Sequence, residues 1–441
     1  MTALRSLFIV ALTVLSACGG VTSGPTLGGI GAPPGGSIII PPPPVVANTA
    51  SVVIDAGPAA LSVGPNGYSA FNQPYVTITV CAPGSTSNCQ TIDHILLDTG
   101  SIGLRLLQPV LNATLLAALP SEKDTTGNPV GECYQYVNSF AFGSVKLVDF
   151  TIAGEKVAAM PVQVIGDTGS FAAVPAACSA GGGKSILTVQ DFGANGIIGV
   201  GTSALDCGAY CASGGHAAAT YYDCLSTGCA AIIARAANEV APFEQLPNPV
   251  AAFAVDNNGT IITLPTVAQT GVPSLTGTVI FGIGTQADNA LRAATVLPVS
   301  KSNSNLGPGV LTVTFKGKSL TQSFIDSGST EYLFIDAAIP TCTETALIAF
   351  YCPTGPLTEA PVLIGTNNAA IDASFALFSP RNVTASSTAA PGLGVNPTLV
   401  TPPLDFANSF DFGLPFFYGK SVYTAIEGRG SGTTAGPFFA Y

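Results

Sequence analysis

One turn pattern occurs twice in this chain and restricts what the chain can fold into. In each copy a run of apolar residues leads into Asp, a small hydroxyl residue, Gly and Ser: residues 95–101 read ILLDTGS and residues 324–329 read FIDSGS. An apolar, strand-like segment follows both turns, and the glycine permits a bend where a side chain would collide. Two such turns can bring Asp98 and Asp326 together, and two carboxylates that share one proton can activate water.

Length and composition predict a mostly β protein with two lobes. A chain of 441 residues is too long for one ordinary core. Its 50 Gly and 34 Pro interrupt the apolar runs too often for long helices, and those runs are rich in Val, Ile, Thr and Phe. We expect an N-terminal β lobe over residues 49–255 that carries Asp98, and a C-terminal β lobe over residues 256–441 that carries Asp326.

The charge balance argues against nucleic acid as a partner. The net charge is −11, and the whole chain has only 14 Lys and Arg residues. Proteins bind a phosphate backbone largely by neutralising it with Lys and Arg side chains. So few cations cannot form a basic face, and we expect no nucleic-acid partner.

The first 18 residues have the pattern of an export signal. Arg5 precedes a short apolar stretch, which ends in the sequence LSAC at residues 15–18. This ending resembles the lipobox of bacterial lipoproteins, which implies that Cys18 carries the lipid; the alternative is a plain secretory signal with an incidental cysteine. Residues 19–48, rich in Gly and Pro, would then form a tether. The expected location is the bacterial cell envelope, at the outer membrane, with the lipid as the only membrane anchor and the membrane face left open.

The ten cysteines after Cys18 predict disulfide bonds, because their number is even and the chain is exported. The expected pairs are Cys81 with Cys89, Cys342 with Cys352 and, by elimination, Cys133 with Cys178. A local group of four, whose two pairings the sequence leaves open, consists of Cys207, Cys211, Cys224 and Cys229. The spacing of this group could also suit zinc, but disulfides are favoured outside the cytoplasm. The chain has only two histidines, and we expect neither a metal nor a cofactor.

The two Asp turns resemble the active-site loops of the pepsin-like aspartic peptidases, in which each of two related lobes contributes one loop. In that family an apolar segment with glycine crosses behind each loop. Residues 196–201 (GIIGVG) and 410–417 (FDFGLPFF) are similar to these crossing segments and stand in the family's order. The resemblance covers residues 70–441 and implies a bilobal acid protease fold, with two related β-barrel-like lobes and a cleft between them.

The resemblance also assigns roles to residues. Asp98 and Asp326 would be the catalytic pair, one taking a proton from water while the other donates a proton to the scissile carbonyl. The residues that would support the two loops are Thr99, Gly100, Ser101, Ser327, Gly328 and Ser329. Within this set the first hydroxyl of each turn would link the two loops, and the second would orient the outer carboxylate oxygen.

Members of the pepsin-like family also close a flap over the substrate with a tyrosine. Residues 131–139 fall in the matching interval, where Tyr136 fits best and Tyr134 is the alternative; both could also be ordinary hairpin residues. The sequence departs from the family here. The chain has no tryptophan, Arg105 stands where one is usual, and Val137 replaces the glycine that usually follows the flap tyrosine.

A third Asp-Thr-Gly-Ser sequence begins at Asp167. Gly166 precedes it instead of an apolar residue, and no clean strand follows. We therefore interpret this copy as a surface turn without a catalytic role.

Three functions fit these observations. The first is an envelope-anchored, monomeric aspartic endopeptidase that cuts a peptide or protein in the cleft between its lobes. The second is an inactive pepsin-like protein that binds peptide or glycan in the same cleft, because a fold does not dictate a function. The third is a β-rich surface lipoprotein in which both Asp turns are structural. Contact between the carboxyl groups of Asp98 and Asp326 beneath a hairpin would favour the first.

Overall fold

The computed structural model describes residues 47–64, 67–124, 126–180, 182–208, 219–232, 245–301, 309–400, 404, 406–431 and 434–441. The mostly β class is confirmed in these residues, because their α-helices are single short turns. The helices are α1 (Ala113–Ala118), α2 (Ala176–Ser179) and α3 (Val189–Phe192). No helix in this part of the chain is long and apolar enough to cross a membrane.

Short strands separated by Gly- and Pro-containing turns make up most of the fold. The strands up to residue 231 are β1 (Thr49–Ile54), β2 (Tyr75–Cys81), β3 (Cys89–Asp98), β4 (Ile102–Leu107), β5 (Val130–Gln135), β6 (Ser139–Ile152), β7 (Glu155–Ile165), β8 (Lys184–Ser185), β9 (Gly196–Val200), β10 (Ala219–Leu225) and β11 (Gly228–Ala231). The strands from residue 259 onward are β12 (Gly259–Thr263), β13 (Leu275–Phe281), β14 (Val296–Pro298), β15 (Leu311–Phe315), β16 (Lys318–Ile325), β17 (Tyr332–Leu333), β18 (Leu357–Glu359), β19 (Val362–Ile364), β20 (Ala370–Asp372), β21 (Phe375–Leu377), β22 (Gly394–Val395), β23 (Asp411–Phe412), β24 (Ser421–Ala425), β25 (Gly430–Ser431), β26 (Thr434–Ala435) and β27 (Phe438–Ala440).

The first Asp turn joins two strands that a third strand holds together. β3 ends on Asp98, and β4 starts four residues later at Ile102. β9, the predicted crossing segment, lies between them, parallel to β3 and antiparallel to β4. Ile198 of β9 pairs with Leu97 on one side and Leu104 on the other. These pairings fix the position of the Asp98 turn between β3 and β4.

The second Asp turn has the same topology. β16 ends one residue before Asp326, and β17 follows the turn. β23 lies between the two strands, parallel to β16 and antiparallel to β17. Phe412 of β23 pairs with Ile325 on one side and Tyr332 on the other. The chain therefore contains two copies of one loop, as the bilobal pepsin-like fold requires.

The two copies belong to different sheets. The first lies in a 16-stranded sheet, within the strand order β7-β4-β9-β3-β2-β1-β13, and the second lies in a seven-stranded sheet ordered β20-β19-β15-β16-β23-β17-β22. β1 begins directly after the predicted tether and pairs with β13, so the large sheet crosses the predicted lobe boundary at residue 255. That boundary stays a prediction.

Aromatic side chains fill the core behind the second Asp turn. The rings of Phe334 and Phe410 stack with centroids 4.8 Å apart, and those of Phe410 and Phe412 lie 4.5 Å apart. All three side chains are buried. Burial of a side chain of this size contributes about 1.5 to 3 kcal/mol. The packing therefore gives β23 and the adjoining turn a rigid support.

The disulfides agree with the sequence analysis. Bonds join Cys81 to Cys89, Cys133 to Cys178 and Cys342 to Cys352, and a fourth joins Cys224 to Cys229. The fourth bond decides the pairing that the sequence left open, and Cys207 is also disulfide-bonded. Cys211 and the predicted lipid-bearing Cys18 lie outside the described residues.

Candidate active site

The two Asp turns are locked together by an exchange of hydrogen bonds. The backbone N–H of Thr99 donates to Ser327 Oγ at 3.0 Å, and the N–H of Ser327 donates to Thr99 Oγ1 at 3.0 Å. Each hydroxyl then donates to the strand of the opposite loop: Thr99 to the carbonyl of Ile325 (3.1 Å) and Ser327 to that of Leu97 (2.7 Å). Both hydroxyl residues are buried, so these bonds are shielded from water.

Backbone amides orient the two carboxyl groups in the same way. The N–H of Gly100 donates to Asp98 Oδ1 and that of Gly328 to Asp326 Oδ1, both at 2.7 Å. Neither glycine can carry a side chain. A Cβ on Gly100 would stand 2.5 Å from Asp326 Oδ2, and one on Gly328 would stand 2.6 Å from Asp98 Oδ1. Each loop therefore passes directly against the carboxyl group of the other.

The two acids meet and share a site. Their carboxyl groups lie beside each other: a Cβ on Gly328 would stand 2.6 Å from Asp98 Oδ1 and 3.1 Å from Asp326 Oδ1. Asp98 is buried, whereas Asp326 is partly exposed. Burial holds the pKa of Asp326 well above its usual range, and the neighbouring charges of Asp98 and Asp411 raise it further. Two carboxylates in contact resist double ionisation, so the pair retains one proton.

The outer oxygens of the pair have different surroundings. Ser101 Oγ donates to Asp98 Oδ2. Ser329 Oγ lies 3.1 Å from Asp326 Oδ2, and also 2.6 Å from Oδ2 of Asp411. Asp411 is a third buried carboxyl group that sequence reasoning did not assign to the site. The signal was available, because Asp411 stands in the second crossing segment where the first segment, GIIGVG, is apolar.

A cavity of about 440 Å³ opens above the pair and is lined by both catalytic candidates. One wall comes from the β5–β6 hairpin, and the other includes apolar side chains such as Leu333, Phe350 and Val395. Glu331 also lines the cavity, and burial raises its pKa to about 7. The site is therefore a cleft with acids on its floor and largely apolar walls beside them.

Comparison with known proteins places the chain in a family. Residues 44–441 match the family described as "Protein of unknown function (DUF3443)". The chain belongs to this family. No curated protein matches it. Among solved structures, the aspartic proteinase from Irpex lacteus is similar with a TM-score of 0.47 and 13% identity, covering 89% of this chain and 96% of that chain. We draw no functional conclusion from a likeness at this level.

The two flap candidates of this DUF3443 chain have different positions. Tyr136 follows β5 in the hairpin and lines the cavity together with Asp98, and its hydroxyl is buried without a hydrogen-bond partner. Tyr134 is buried with its ring 3.7 Å from the Arg105 guanidinium. Val137 is exposed at the tip of the hairpin. Only Tyr136 therefore has the position that a flap residue needs.

Arg105 anchors a charged network beneath the hairpin. Its guanidinium is fully buried and lies 2.5 Å from Glu132 Oε1 and 2.9 Å from Asp206 Oδ2. The Tyr221 hydroxyl donates a hydrogen bond to Asp206 Oδ2 at 2.9 Å. Burial and the charge of Glu132 raise the pKa of Asp206 well above its usual range. Because Glu132 lies on β5, this network ties the β5–β6 hairpin to β4 and hence to the first Asp turn.

The third Asp-Thr-Gly-Ser copy lies apart from the cleft. Asp167 accepts a hydrogen bond from Ser144 Oγ and lies 3.6 Å from Lys146 Nζ. It is not among the residues that line the cavity. Thr168 and Gly169 are exposed, as predicted for a surface turn, but the Asp167 side chain itself is buried by these two partners.

Proposed function

We propose that this protein is an aspartic-type endopeptidase. One observation carries the proposal: the carboxyl groups of Asp98 and Asp326 lie beside each other on the floor of a cleft. The exchange of hydrogen bonds between Thr99 and Ser327 holds this contact in place. A β-rich protein with purely structural turns has no need to hold two acids in contact, because their ionised forms repel each other.

The pair can activate water without a metal or a covalent intermediate. With one proton on the pair, Asp98 accepts a proton from water while Asp326 donates its proton to the oxygen of the scissile carbonyl. The water oxygen attacks the carbonyl carbon and gives a neutral tetrahedral diol. Asp98 then gives its proton to the amide nitrogen while Asp326 takes a proton from a diol hydroxyl, so the C–N bond breaks and the pair again holds one proton. The raised pKa of Asp326, which burial causes, favours this division of roles.

The substrate that suits this cleft is an extended polypeptide. Tyr136 and the hairpin approach the pair from one side, and the apolar side chains of Phe350 and Val395 lie on the other. Apolar walls bind apolar side chains and exclude water from the reacting atoms. No cofactor is required for this chemistry, and the protein would act as a monomer, because both acids come from one chain.

Digestion of an unfolded protein from about pH 3 to pH 7 tests the proposal. Asp98→Asn and Asp326→Asn keep the shape of the side chain and remove its acidity, so each should lower kcat by about a thousandfold or more. Pepstatin, a transition-state mimic, should inhibit the wild type. Asp167→Asn is the matched control, the same change in the same tripeptide, and it should cleave like the wild type. Equal cleavage by all variants would contradict the proposal.

We further propose that the enzyme is anchored in the bacterial envelope through Cys18. The support is the LSAC ending of the export signal and the Gly- and Pro-rich residues 19–48. Cys18→Ser should abolish incorporation of labelled fatty acid and release the protein from the membrane fraction. Labelling that persists in this variant would exclude Cys18 as the anchor.

A further inference from the structure

The two copies of the Asp turn can be compared residue by residue through their strand pairings. In the first copy Ile197 of β9 pairs with Leu96, two residues before Asp98. In the second copy Asp411 of β23 pairs with Phe324, two residues before Asp326. Ile197 and Asp411 therefore occupy equivalent positions. The second copy carries an acid where the first carries an apolar side chain.

The surroundings of Asp411 are those of a polar group placed in a core. Its side chain is buried, Oδ2 lies 2.6 Å from Ser329 Oγ, and Oδ1 is buried without a hydrogen-bond partner. A buried carboxyl group in this state destabilises a protein. The apolar equivalent at Ile197 shows that the same position accepts a side chain without this cost. Stability therefore does not explain the acid at this position, and a functional role does.

Ser329 joins Asp411 to the catalytic pair. Its hydroxyl lies within hydrogen-bond distance of both Asp411 and Asp326. A serine hydroxyl has one proton and can donate it to only one acceptor at a time. Both contacts form together only if one of the two carboxyl groups carries a proton and donates it to Ser329 Oγ. The proton that Asp326 shares with Asp98 belongs to the inner Oδ1 atoms, which meet beside Gly328, so Asp411 is the donor to Ser329 Oγ and Ser329 donates to Asp326 Oδ2.

The electrostatic surroundings favour the protonated form of Asp411. Burial raises its pKa well above the usual range, and the facing carboxylates of Asp98 and Glu331 raise it further, against the lowering effect of the Ser329 hydrogen bond. Asp326 faces the same group through Ser329. A neutral Asp411 gives the chain of hydrogen bonds a fixed direction, from Asp411 to Ser329 to Asp326.

We propose that Asp411 is a third carboxyl group of the active site and acts as a positioning residue, holding the Ser329 hydroxyl toward Asp326. The inference rests on the proposed peptidase function, since the reaction needs a fixed orientation of Asp326. Asp411 is not among the residues that line the cleft cavity. It therefore acts through Ser329 without touching the substrate. Its substitution should lower kcat and leave KM unchanged.

Two substitutions separate the donor role from the charge. Asp411→Ile copies the equivalent residue of the first turn and removes the donor, so kcat should fall about tenfold with KM unchanged. Its thermal midpoint should equal or exceed that of the wild type, because a buried unpaired oxygen is removed. Asp411→Asn keeps a donor toward Ser329, so kcat should stay within about twofold of the wild type.

The decisive comparison repeats Asp411→Ile in a Ser329→Ala background. If Asp411 acts through Ser329, adding Asp411→Ile to Ser329→Ala causes no further loss of kcat. Three results would each overturn the proposal: wild-type kcat in Asp411→Ile, an equal loss in Asp411→Asn and Asp411→Ile, or a further tenfold loss in the Ser329→Ala background. If Asp411→Ile alone folds poorly, Asp411→Ala, which also removes the donor, replaces it in the same cycle.

A readout that does not depend on activity separates this inference from the proposed function. A buried neutral carboxylic acid gives an infrared carbonyl band distinct from that of a carboxylate. Other acids with raised pKa values, such as Asp206 and Asp326, contribute bands of the same kind, so the test is the difference between the spectra of the wild type and Asp411→Asn at neutral pH, which should contain one such band. A wild type that cleaves nothing would overturn the peptidase function. Absence of the band from the difference spectrum would overturn the protonated state of Asp411.

Discussion

The first and second Asp turns have the same strand order and exchange matching hydrogen bonds, but they differ in what lies behind each carboxyl group. Behind the first turn, β4 carries Arg105, which pairs with two buried acids. The equivalent residue of β17 in the second turn is Leu333, since each pairs with the equivalent residue of its crossing strand. Behind the second turn lie an aromatic stack and the neutral acid Asp411.

This difference separates the features that both copies of the turn share from those that are specific to one copy. The amides of Gly100 and Gly328, at 2.7 Å from their acids in both copies, fix the position of each carboxyl group. The side chains behind the turns then give the two acids different surroundings. Two acids in identical surroundings would share their proton equally, and the different surroundings of Asp98 and Asp326 remove this equality.

The largest effect is expected from removing the buried cation of the first turn. Arg105→Leu copies the residue of the second turn and leaves Glu132 and Asp206 buried without a cation, so the free energy of unfolding should fall by about 3 to 5 kcal/mol. Urea unfolding measures this loss. The matched control is Arg381→Leu: Arg381 pairs with Glu344 at 2.6 Å, both side chains are 47% exposed, and the loss should be much smaller than for Arg105→Leu because solvent screens the pair. Equal losses would mean that the buried network does not support the first turn.

A smaller but symmetric effect is expected at the two turn glycines. Gly100→Ala or Gly328→Ala places a methyl group against the opposite carboxyl group, so each should lower kcat by about a hundredfold, and to a similar extent. Gly355→Ala is the control, because a Cβ there meets nothing within 4 Å. Cleavage assays on folded variants provide the measurement. A large loss at only one of the two glycines would contradict the shared geometry of the two copies.

The smallest effect is expected at Glu331, which stands where the first turn has Gly103. Its pKa is raised to about 7 by burial, from an ordinary value of 4.5. The folded protein therefore binds this proton more tightly than the unfolded chain does, and stability that is fully present below pH 4.5 is lost as the pH rises through about 7. Glu331→Gln should reduce this loss by about 1 to 2 kcal/mol, after allowance for partial exposure.

Thermal or urea unfolding across this pH range tests the Glu331 prediction. Glu344→Gln serves as the control, because the hydrogen bond from Arg381 lowers the pKa of Glu344 to about 2, outside the range in which Glu331 titrates. This variant should therefore leave the slope of stability against pH unchanged between pH 4.5 and about 7. An unchanged slope in Glu331→Gln would remove Glu331 from the differences between the two turns.

The sequence predicted the parts of the site that are local. Asp98 and Asp326 each stand in a short pattern, and the crossing segments at residues 196–201 and 410–417 could be found by their glycines. The Arg105 network could not be predicted in this way, since its partners are 27 and 101 residues away and only the pairing of the sheet brings them together. Asp411 lies in a segment that the sequence analysis recognised. Only the matching registers of β23 on β16 and of β9 on β3 show that it stands where the first copy has Ile197.

The cooperation of Asp98 and Asp326 is tested most directly by a double-variant cycle. The kcat of peptide cleavage is measured for the wild type, Asp98→Asn, Asp326→Asn and the double variant. If the two acids share one proton and act as a unit, each single variant loses nearly all activity and the double variant loses no more. Substantial activity in either single variant, or losses that multiply in the double variant, would contradict the account.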